Sequence, residues 1–244
     1  MKKGLLIIVL MSIYQTCFAS EIYWYLAASM SKPGKEIVEK FNKQSEISKV
    51  YLILGGSGGL LSRIIVSKNG DLYTPGSAFF LKKAKKNKIV KSSRLLLLQK
   101  MVVGLSASGV KKIHSFNDLI KPGVKIAFGN PKLTALGKVF LEMKGKMDEK
   151  SLKRLEKNNV VEGVNANQIA NYILSDTVDA GFIFDTVAKV SKIPHIEIPK
   201  KFNVSSEAHM VLLKNAKNFK ETNNFVNFVY KQNDIFSKYG YCLI

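Results

Sequence analysis

Residues 50–60 read Val50-Tyr51-Leu52-Ile53-Leu54-Gly55-Gly56-Ser57-Gly58-Gly59-Leu60, and the character of the chain changes in the middle of this stretch. Its first five residues are apolar, which is typical of a buried strand, and residues 60–66 have the apolar spacing of a helix. The glycines between them let the backbone approach a ligand closely, and the N-terminus of a helix favours a bound anion. The stretch therefore predicts a strand, an anion-binding turn and a helix.

Three further segments have the same character, because each ends a predicted strand and begins a predicted helix. They are Ala27-Ala28-Ser29, Gly129-Asn130-Pro131 running on to Thr134 and Gly137, and Val164-Asn165-Ala166-Asn167. The unpaired N–H groups and the dipole at a helix N-terminus both favour negative charge. Four such junctions predict a small anion held between two lobes without a metal or a counter-charge. The alternative is that the serines are only helix N-caps, which is a common role for serine.

Predicted strands and helices alternate along the chain, which indicates an α/β protein with mostly parallel sheets flanked by helices. The predicted strands are residues 22–26, 50–54, 71–74, 124–128, 160–161 and 180–184. The predicted helices are residues 33–41, 60–66, 77–86, 134–143, 167–174, a helix from 185, 219–230 and 235–239.

Two longer apolar runs, residues 95–105 and 208–213, are predicted to be strands that pass from one lobe to the other. Two crossings of this kind form a hinge. Lobe 1 is then residues 20–102 with residues 208–244 returning to it, and lobe 2 is residues 103–207.

The N-terminus has the pattern of a signal peptide. Met1-Lys2-Lys3 is cationic, residues 4–14 are apolar, and Cys17-Phe18-Ala19 provides a cleavage site, so residues 1–19 are expected to direct export to the periplasm. A lipid anchor on Cys17 is the alternative, although Thr16 and Tyr14 fit that processing poorly. After cleavage only Cys242 remains, so no disulfide within the chain is expected.

The formal net charge is +20, and so high a positive charge usually indicates that a protein binds nucleic acid or an anionic membrane. Arginine, the residue that reads phosphates and guanines in a bidentate way, occurs only at Arg63, Arg94 and Arg154. The lysines are scattered over predicted helix surfaces, apart from a cluster within residues 82–88. A solvated basic surface without a nucleic-acid partner is therefore predicted, one that could steer small anions to the protein.

Nothing in the sequence indicates an enzyme or a cofactor. His114, His195 and His209 lack metal-ligand spacing, and no nucleophile–base motif occurs. The glycine turn at residues 55–59 lacks the Lys-Ser/Thr ending of a P-loop. A transferase or lyase on the same scaffold stays open as an alternative, but it would need a titratable residue in the cleft, and none occurs at the four junctions.

In the order and spacing of several segments, from about residue 22 to residue 241, the chain resembles the periplasmic molybdate/tungstate-binding proteins of ATP-binding-cassette importers. These segments are Ala27-Ala28-Ser29, the turn at residues 55–59 with Leu60, Gly70-Asp71-Leu72-Tyr73, Ile126-Ala127-Phe128-Gly129-Asn130-Pro131 with Gly137, and Asp179-Ala180-Gly181-Phe182-Ile183-Phe184. The resemblance implies a two-lobed fold of the periplasmic-binding-protein type II kind, which closes over a tetrahedral dianion held by neutral donors.

Carried over position by position, the resemblance implies hydroxyl and N–H donors from Ser29 and Ser57 and backbone N–H donors from Leu136 and Ala166. Phe184 stands where the family usually has a tyrosine hydroxyl, so that donor is missing here, and Phe184 is expected to form part of the cleft wall. The segment Thr74-Pro75-Gly76-Ser77 also departs from the family pattern.

The resemblance implies a monomeric protein that captures molybdate or tungstate by lobe closure and delivers it to an importer permease in the inner membrane. Sulfate, phosphate or a small organic acid is the alternative ligand within the same class. A surface protein that binds polyanions is a third alternative, and strong salt dependence of binding would distinguish it.

Overall fold

The structure, a computed structural model, describes residues 20–244. The predicted signal peptide and the alternative lipid anchor at Cys17 lie outside the described residues. Within residues 20–244, no helix is long and apolar enough to cross a membrane.

The described part of the chain alternates strands and helices, as its sequence predicts. The strands are β1 Ser20–Ala27, β2 Ser48–Gly55, β3 Leu72–Thr74, β4 Val90–Leu105, β5 Ile126–Gly129, β6 Asn159–Gly163, β7 Ala180–Phe184, β8 His195–Glu197 and β9 Ser205–Leu213. The α-helices are α1 Ser31–Gln44, α2 Ser57–Ser67, α3 Ala78–Lys86, α4 Ala107–Lys112, α5 Ala135–Lys144, α6 Glu149–Lys157, α7 Ala166–Leu174, α8 Asp185–Val190, α9 Phe219–Tyr230 and α10 Asn233–Lys238. Short 3₁₀ helices occupy Ala28–Met30 and Phe116–Ile120.

The strands form one continuous sheet in the order β2-β1-β3-β9-β4-β7-β5-β6, with β8 paired to β4. Strands β2, β1 and β3 are parallel to one another, as are β7, β5 and β6. The antiparallel pairs β3–β9, β9–β4 and β4–β7 join these two parallel groups. The predicted α/β class, with mostly parallel sheets and connecting strands, is confirmed.

Strand β4 links the two parallel groups because its two ends pair with different strands. Its residues 90–100 pair with β9, whereas residues 101–105 pair with β7. We use "β1 half" for β1–β3, β9, residues 90–100 of β4 and the helices packed on them, α1–α3, α9 and α10. We use "β5 half" for β5–β8, residues 101–105 of β4 and helices α4–α8. The lobe boundaries expected at 102/103 and 207/208 stay a prediction.

Each half has its own apolar core. One cluster of buried side chains, between Met101 and Ile198, fills the β5 half on both faces of its strands. The β1 half has two clusters, one under α1, α9 and α10, which includes Trp24, and one under α2 and α3, which includes Tyr73 and Phe80. Because each half buries its own core, the surface where the halves meet is not needed to complete either core.

Parts of the chain were left unassigned by the sequence, and their composition explains why. Helix α6 is highly charged and buries Leu155 as its one core residue, so its apolar periodicity is weak. Strand β8 has three residues at the edge of the sheet, too few for a period-two pattern. Helix α4 has six residues and contains a glycine, which lowers helix propensity.

Candidate binding site

The four predicted junctions meet around one small cavity between the two halves. The β1 half contributes Ala27, Ala28, Ser29, Gly55, Gly56 and Ser57 to its wall. The β5 half contributes Thr134, Ala135, Leu136, Asn165, Ala166 and Phe184. The volume of the cavity that is open to the centre of a water molecule is about 10 Å³. This is about the smallest volume that holds one water molecule. All five residues predicted for the site, Ser29, Ser57, Leu136, Ala166 and Phe184, therefore line the same cavity.

Helices α5 and α7 direct backbone N–H groups at the cavity from the β5 half. Thr134 caps α5 and accepts from the N–H of Gly137, and Asn165 caps α7 and accepts from the N–H of Gln168. These caps use the third N–H of each helix. Helix geometry leaves the first two N–H groups without a partner inside the helix. Leu136 supplies one of these groups in α5, and Ala166 supplies one in α7.

Ser29 lies in the 3₁₀ helix that follows β1. Its hydroxyl oxygen is buried and has no hydrogen-bond partner within residues 20–244. An unpaired buried hydroxyl is costly, so such a group in a cavity wall indicates a position where a ligand or water supplies the partner. The carbonyl oxygen of Ser29 is already paired, because it accepts from the hydroxyl of Tyr241.

Ser57, the first residue of α2, has its hydroxyl oriented by the segment that departs from the family pattern. Its oxygen accepts from the N–H of Gly76 over 3.0 Å, which leaves the hydroxyl hydrogen free to donate. The carbonyl of Gly76 in turn accepts from the hydroxyl of Ser206 on β9. Gly76 therefore helps to make the Ser57 side chain a donor, a role that the sequence did not suggest.

Two buried tyrosines hold the peptide groups of the site serines. Tyr73 donates its hydroxyl to the carbonyl of Ser57 over 2.7 Å, and Tyr241 donates to the carbonyl of Ser29. Burial raises the pKa of both phenols, so both remain protonated donors at neutral pH. Tyr73 belongs to a predicted strand, but nothing in the sequence relates Tyr241 to residue 29. These hydrogen bonds join residues 16 and 212 positions apart, beyond the reach of local patterns.

Every residue in the cavity wall is uncharged, so the site offers an anion dipoles and hydrogen-bond donors but no counter-charge. Lys132 is exposed, and the Lys138 ammonium lies 4.0 Å from the ring centroid of Phe79, outside the cavity wall. Phe184 ends β7 and is 1% exposed. Its ring brings apolar surface to the wall and no donor.

Residues outside the cavity have structural roles where the structure describes them. Asp71 is buried and accepts from the N–H groups of Tyr23 and Lys217, so it ties β3 to β1 and to the segment after β9. Trp24 is fully buried, and its indole donates to Thr74. Within residues 20–244, no three His, Cys, Asp or Glu side chains group as a metal site would require.

The model of the family described as bacterial extracellular solute-binding protein matches residues 22–242. The chain belongs to this family. A putative binding protein of Haemophilus influenzae is 28% identical to this solute-binding protein over 168 residues, which are 68% of this chain and 66% of that protein. A putative ABC transporter substrate-binding lipoprotein of Bacillus subtilis, YvgL, is 28% identical over 88% of this chain and 84% of its own. The molybdate-binding protein ModA of Mycobacterium tuberculosis is 21% identical over 86% and 79%.

Solved structures share the fold of this solute-binding protein. The periplasmic molybdate-binding protein of Azotobacter vinelandii has a TM-score of 0.78 at 18% identity, covering 91% of this chain and 99% of its own. The sulfate-binding protein SubI of Mycobacterium tuberculosis has a TM-score of 0.79 at 14% identity, covering 91% and 86%. Peb3 of Campylobacter jejuni has a TM-score of 0.72 at 19% identity, covering 91% and 99%. The resemblance to molybdate-binding proteins is confirmed, and the type II two-lobed fold it implied is shared.

Proposed function

We propose that the protein captures a compact tetrahedral oxyanion, molybdate or tungstate, in the cavity between its two halves and delivers it to the permease of an ATP-binding-cassette importer. The observation that carries this proposal is the wall of the cavity. Donors from both halves converge on it, every wall residue is uncharged, and the buried Ser29 hydroxyl lacks a partner within residues 20–244. An anion that accepts from both halves stabilises the closed arrangement over an open one.

Neutral donors give a physical basis for selectivity. A fully deprotonated dianion only accepts hydrogen bonds, which is what the N–H and hydroxyl groups of this wall require. A protonated oxyanion carries a donor of its own and needs a free acceptor in the wall, which is costly to leave unmatched in a closed site. Two of the three hydroxyl oxygens of the wall already accept, Ser57 from Gly76 and Thr134 from Gly137, and only the Ser29 oxygen has no partner within residues 20–244.

The size of the cavity supports a compact ion over a larger organic acid. The wall consists of alanine, glycine, serine, Phe184 and the N-terminal turns of helices, and only about 10 Å³ is open to the centre of a water molecule. An organic acid larger than a tetrahedral oxyanion would therefore hold the two halves further apart. Peb3 has been solved with L-phospholactate and SubI is named as sulfate-binding, so the same fold serves other anions. Sulfate, phosphate and small organic acids are therefore competing outcomes of the test.

The remaining parts of the proposal follow from the family. Its members are described as extracellular, and one relative is named as an ABC transporter lipoprotein, which supports export to the periplasm and a permease partner. We propose that the protein is a monomeric carrier and that it is not an enzyme, because the cavity wall offers no titratable group for acid–base chemistry. No cofactor is proposed; the oxyanion is cargo.

Thermal unfolding of residues 20–244 with molybdate, tungstate, sulfate, phosphate and citrate tests the proposal. A ligand at about 100 times its dissociation constant stabilises the native state by about 2.7 kcal/mol. This corresponds to a shift of roughly 5–10 °C for a chain of this size. We expect this shift with molybdate and tungstate alone. A shift only with sulfate, phosphate or citrate would overturn the choice of ligand, and salt-sensitive binding to heparin without any shift would favour a polyanion-binding protein.

A further inference from the structure

Beside the cavity, a hydrogen bond between two backbone groups joins the two halves. The N–H of Gly58 in α2 donates to the carbonyl of Leu133 over 2.8 Å. Gly58 belongs to the β1 half, and Leu133 lies in the loop that leads into α5 of the β5 half. The N–H of Gly58 is thus used across the cleft, while the neighbouring Ser57 lines the cavity.

Gly56 and Gly58 lie so close to the opposite half that a side chain has no room there, whereas their backbone conformation does not require glycine. A Cβ on Gly56 would lie 2.2 Å from the carbonyl oxygen of Val164 and 2.6 Å from that of Leu133. A Cβ on Gly58 would lie 2.2 Å from the carbonyl oxygen of Lys132 and 2.9 Å from Cε1 of Phe80, which belongs to its own half. Gly56 itself has φ −71° and ψ 141°, an extended conformation open to any residue. Gly58 lies in a helix, where alanine is favoured over glycine.

The loops touched by these glycines also position the proposed donors of the β5 half. Residues 132–133 lead through Thr134 into α5, whose first turn contains Leu136, and Val164 precedes the Asn165 cap of α7 and Ala166. The distance from the Gly56–Gly58 backbone to these loops therefore sets how closely the donors of the β5 half approach those of Ser57. A side chain between them would hold the donor sets apart.

We propose that Gly56 and Gly58 form a peptide latch that sets how far the two halves close, and thereby whether one small anion reaches donors on both. The ligand named in this inference rests on the proposed function, whereas the contacts of Gly56 and Gly58 do not depend on it. Each half buries its own core, so a side chain at Gly56, which would meet only the opposite half, opens the cleft and leaves both cores intact.

The glycine run contains its own control. A Cβ on Gly59, one residue further along α2, would have no atom within 4 Å. Gly59→Ala therefore changes the same turn by the same methyl group without touching the opposite half. Gly56→Ala is the main test variant, because its Cβ would meet only the opposite half, and Gly58→Ala is the second. Because alanine suits all three backbone positions, ligand-free melting of each variant checks that folding is unchanged.

Fluorescence energy transfer between dyes on the two halves measures closure directly. Lys86 on α3 and Lys150 on α6 are exposed and carry the dyes after replacement by cysteine, in a Cys242→Ser background. We expect Gly56→Ala and Gly58→Ala to keep the dyes further apart than the parent and Gly59→Ala do. We expect molybdate affinity to fall about 10- to 100-fold, as when a hydrogen bond to a charged partner is lost.

The outcomes separate the latch from the choice of ligand. If molybdate binds the parent protein and Gly56→Ala closes as far and binds as tightly, the latch is wrong. If none of the anions binds the parent protein, the proposed ligand fails, and the shortest dye separation that single ligand-free molecules reach still decides the latch. A longer minimum separation in Gly56→Ala than in Gly59→Ala then supports it, and equal minima overturn it.

Discussion

Ser29 and Ser57 occupy equivalent places in the site, yet their hydroxyls are held differently. The Ser57 oxygen accepts from the N–H of Gly76, whereas the Ser29 oxygen has no partner in residues 20–244. Both peptide carbonyls, in contrast, accept from a buried tyrosine hydroxyl. The two hydroxyls therefore make different contributions to the ligand-free protein.

We predict that Ser29→Ala and Ser57→Ala both weaken oxyanion binding by about 1.5–3 kcal/mol, because each removes a hydrogen bond to a charged partner. Their effects on ligand-free stability should differ. Ser57→Ala leaves the buried Gly76 N–H unpaired and should cost about 1–3 kcal/mol, whereas Ser29→Ala removes an unpaired group and should cost little.

Titration calorimetry and urea unfolding measure the two effects for each serine variant. Ser57→Thr, which keeps a hydroxyl, is the control at that position. Unchanged affinity in both alanine variants would contradict the assignment of the serines as donors. Equal losses of ligand-free stability would contradict the difference between their hydroxyls.

The structure brings Ser29, Ser57, Leu136, Ala166 and Phe184 to one cavity, and their part in ligand binding stays a prediction. The junctions left local signals in the sequence, namely glycines, caps and serines near helix starts, whereas Leu136, Ala166 and Phe184 were named through the resemblance to molybdate-binding proteins. The roles of Tyr241, Gly76 and Ser206 had no such signal. Their hydrogen bonds join distant parts of the chain, and one sequence without geometry gives no reason to pair them.

At the scale of elements, helix α4 depends on a buried carboxylate. Asp179, the residue before β7, accepts from the side chains of Lys112 and Ser108 and from the N–H of Lys125. Burial by itself would raise the pKa of Asp179, but these three hydrogen bonds outweigh it and lower the pKa below its usual value. The carboxylate thereby fastens α4 to the strand that precedes Phe184.

The sign of the pH effect follows from the lowered pKa of Asp179. A carboxyl whose pKa is lower in the folded state contributes stability above its unfolded pKa, near pH 4, and this stability is lost as the pH falls through the folded pKa. We predict that the free energy of unfolding declines more steeply below about pH 4 in the parent protein than in Asp179→Asn.

Urea unfolding at a series of pH values measures this difference. Lys112→Ala, which removes one of the three donors, should give an intermediate slope. Identical acid profiles for the parent and Asp179→Asn would show that this carboxylate does not stabilise the fold in the way described.

Among the elements, those with dense apolar patterns were predicted best. The bounds of β7 and α9 match the prediction for this reason. Predicted helix starts differ by a residue where a cap intervenes: Thr134 and Ser77 have extended backbone and precede α5 and α3. Charged or very short elements such as α6 and β8 were missed because their burial is decided by their neighbours.

At the scale of the whole molecule, the order of strands explains why the site lies where it does. Strands β1, β2, β5 and β6 belong to two parallel groups, and the four loops at their carboxyl ends meet across one cleft. In open α/β sheets, ligands bind at such carboxyl ends. The antiparallel strands β4 and β9 connect the two groups, and in the proposed function they are where the halves would hinge.

The charged residues that give the formal net charge of +20 lie outside the cavity wall. The cavity wall is uncharged, and the lysines of α3 are exposed. In the proposed function, the basic exterior attracts anions at a distance, and the neutral site selects among them by size and hydrogen bonding.

A crystal structure of residues 20–244 grown with tungstate, with an anomalous difference map at the tungsten edge, tests the central claim most directly. We predict one strong peak in the cavity. Its oxygens should lie within hydrogen-bond distance of the Ser29 and Ser57 hydroxyls and of the backbone N–H groups of Leu136 and Ala166. An empty cavity in protein that binds tungstate in solution, or a peak only against the surface lysines, would contradict the account.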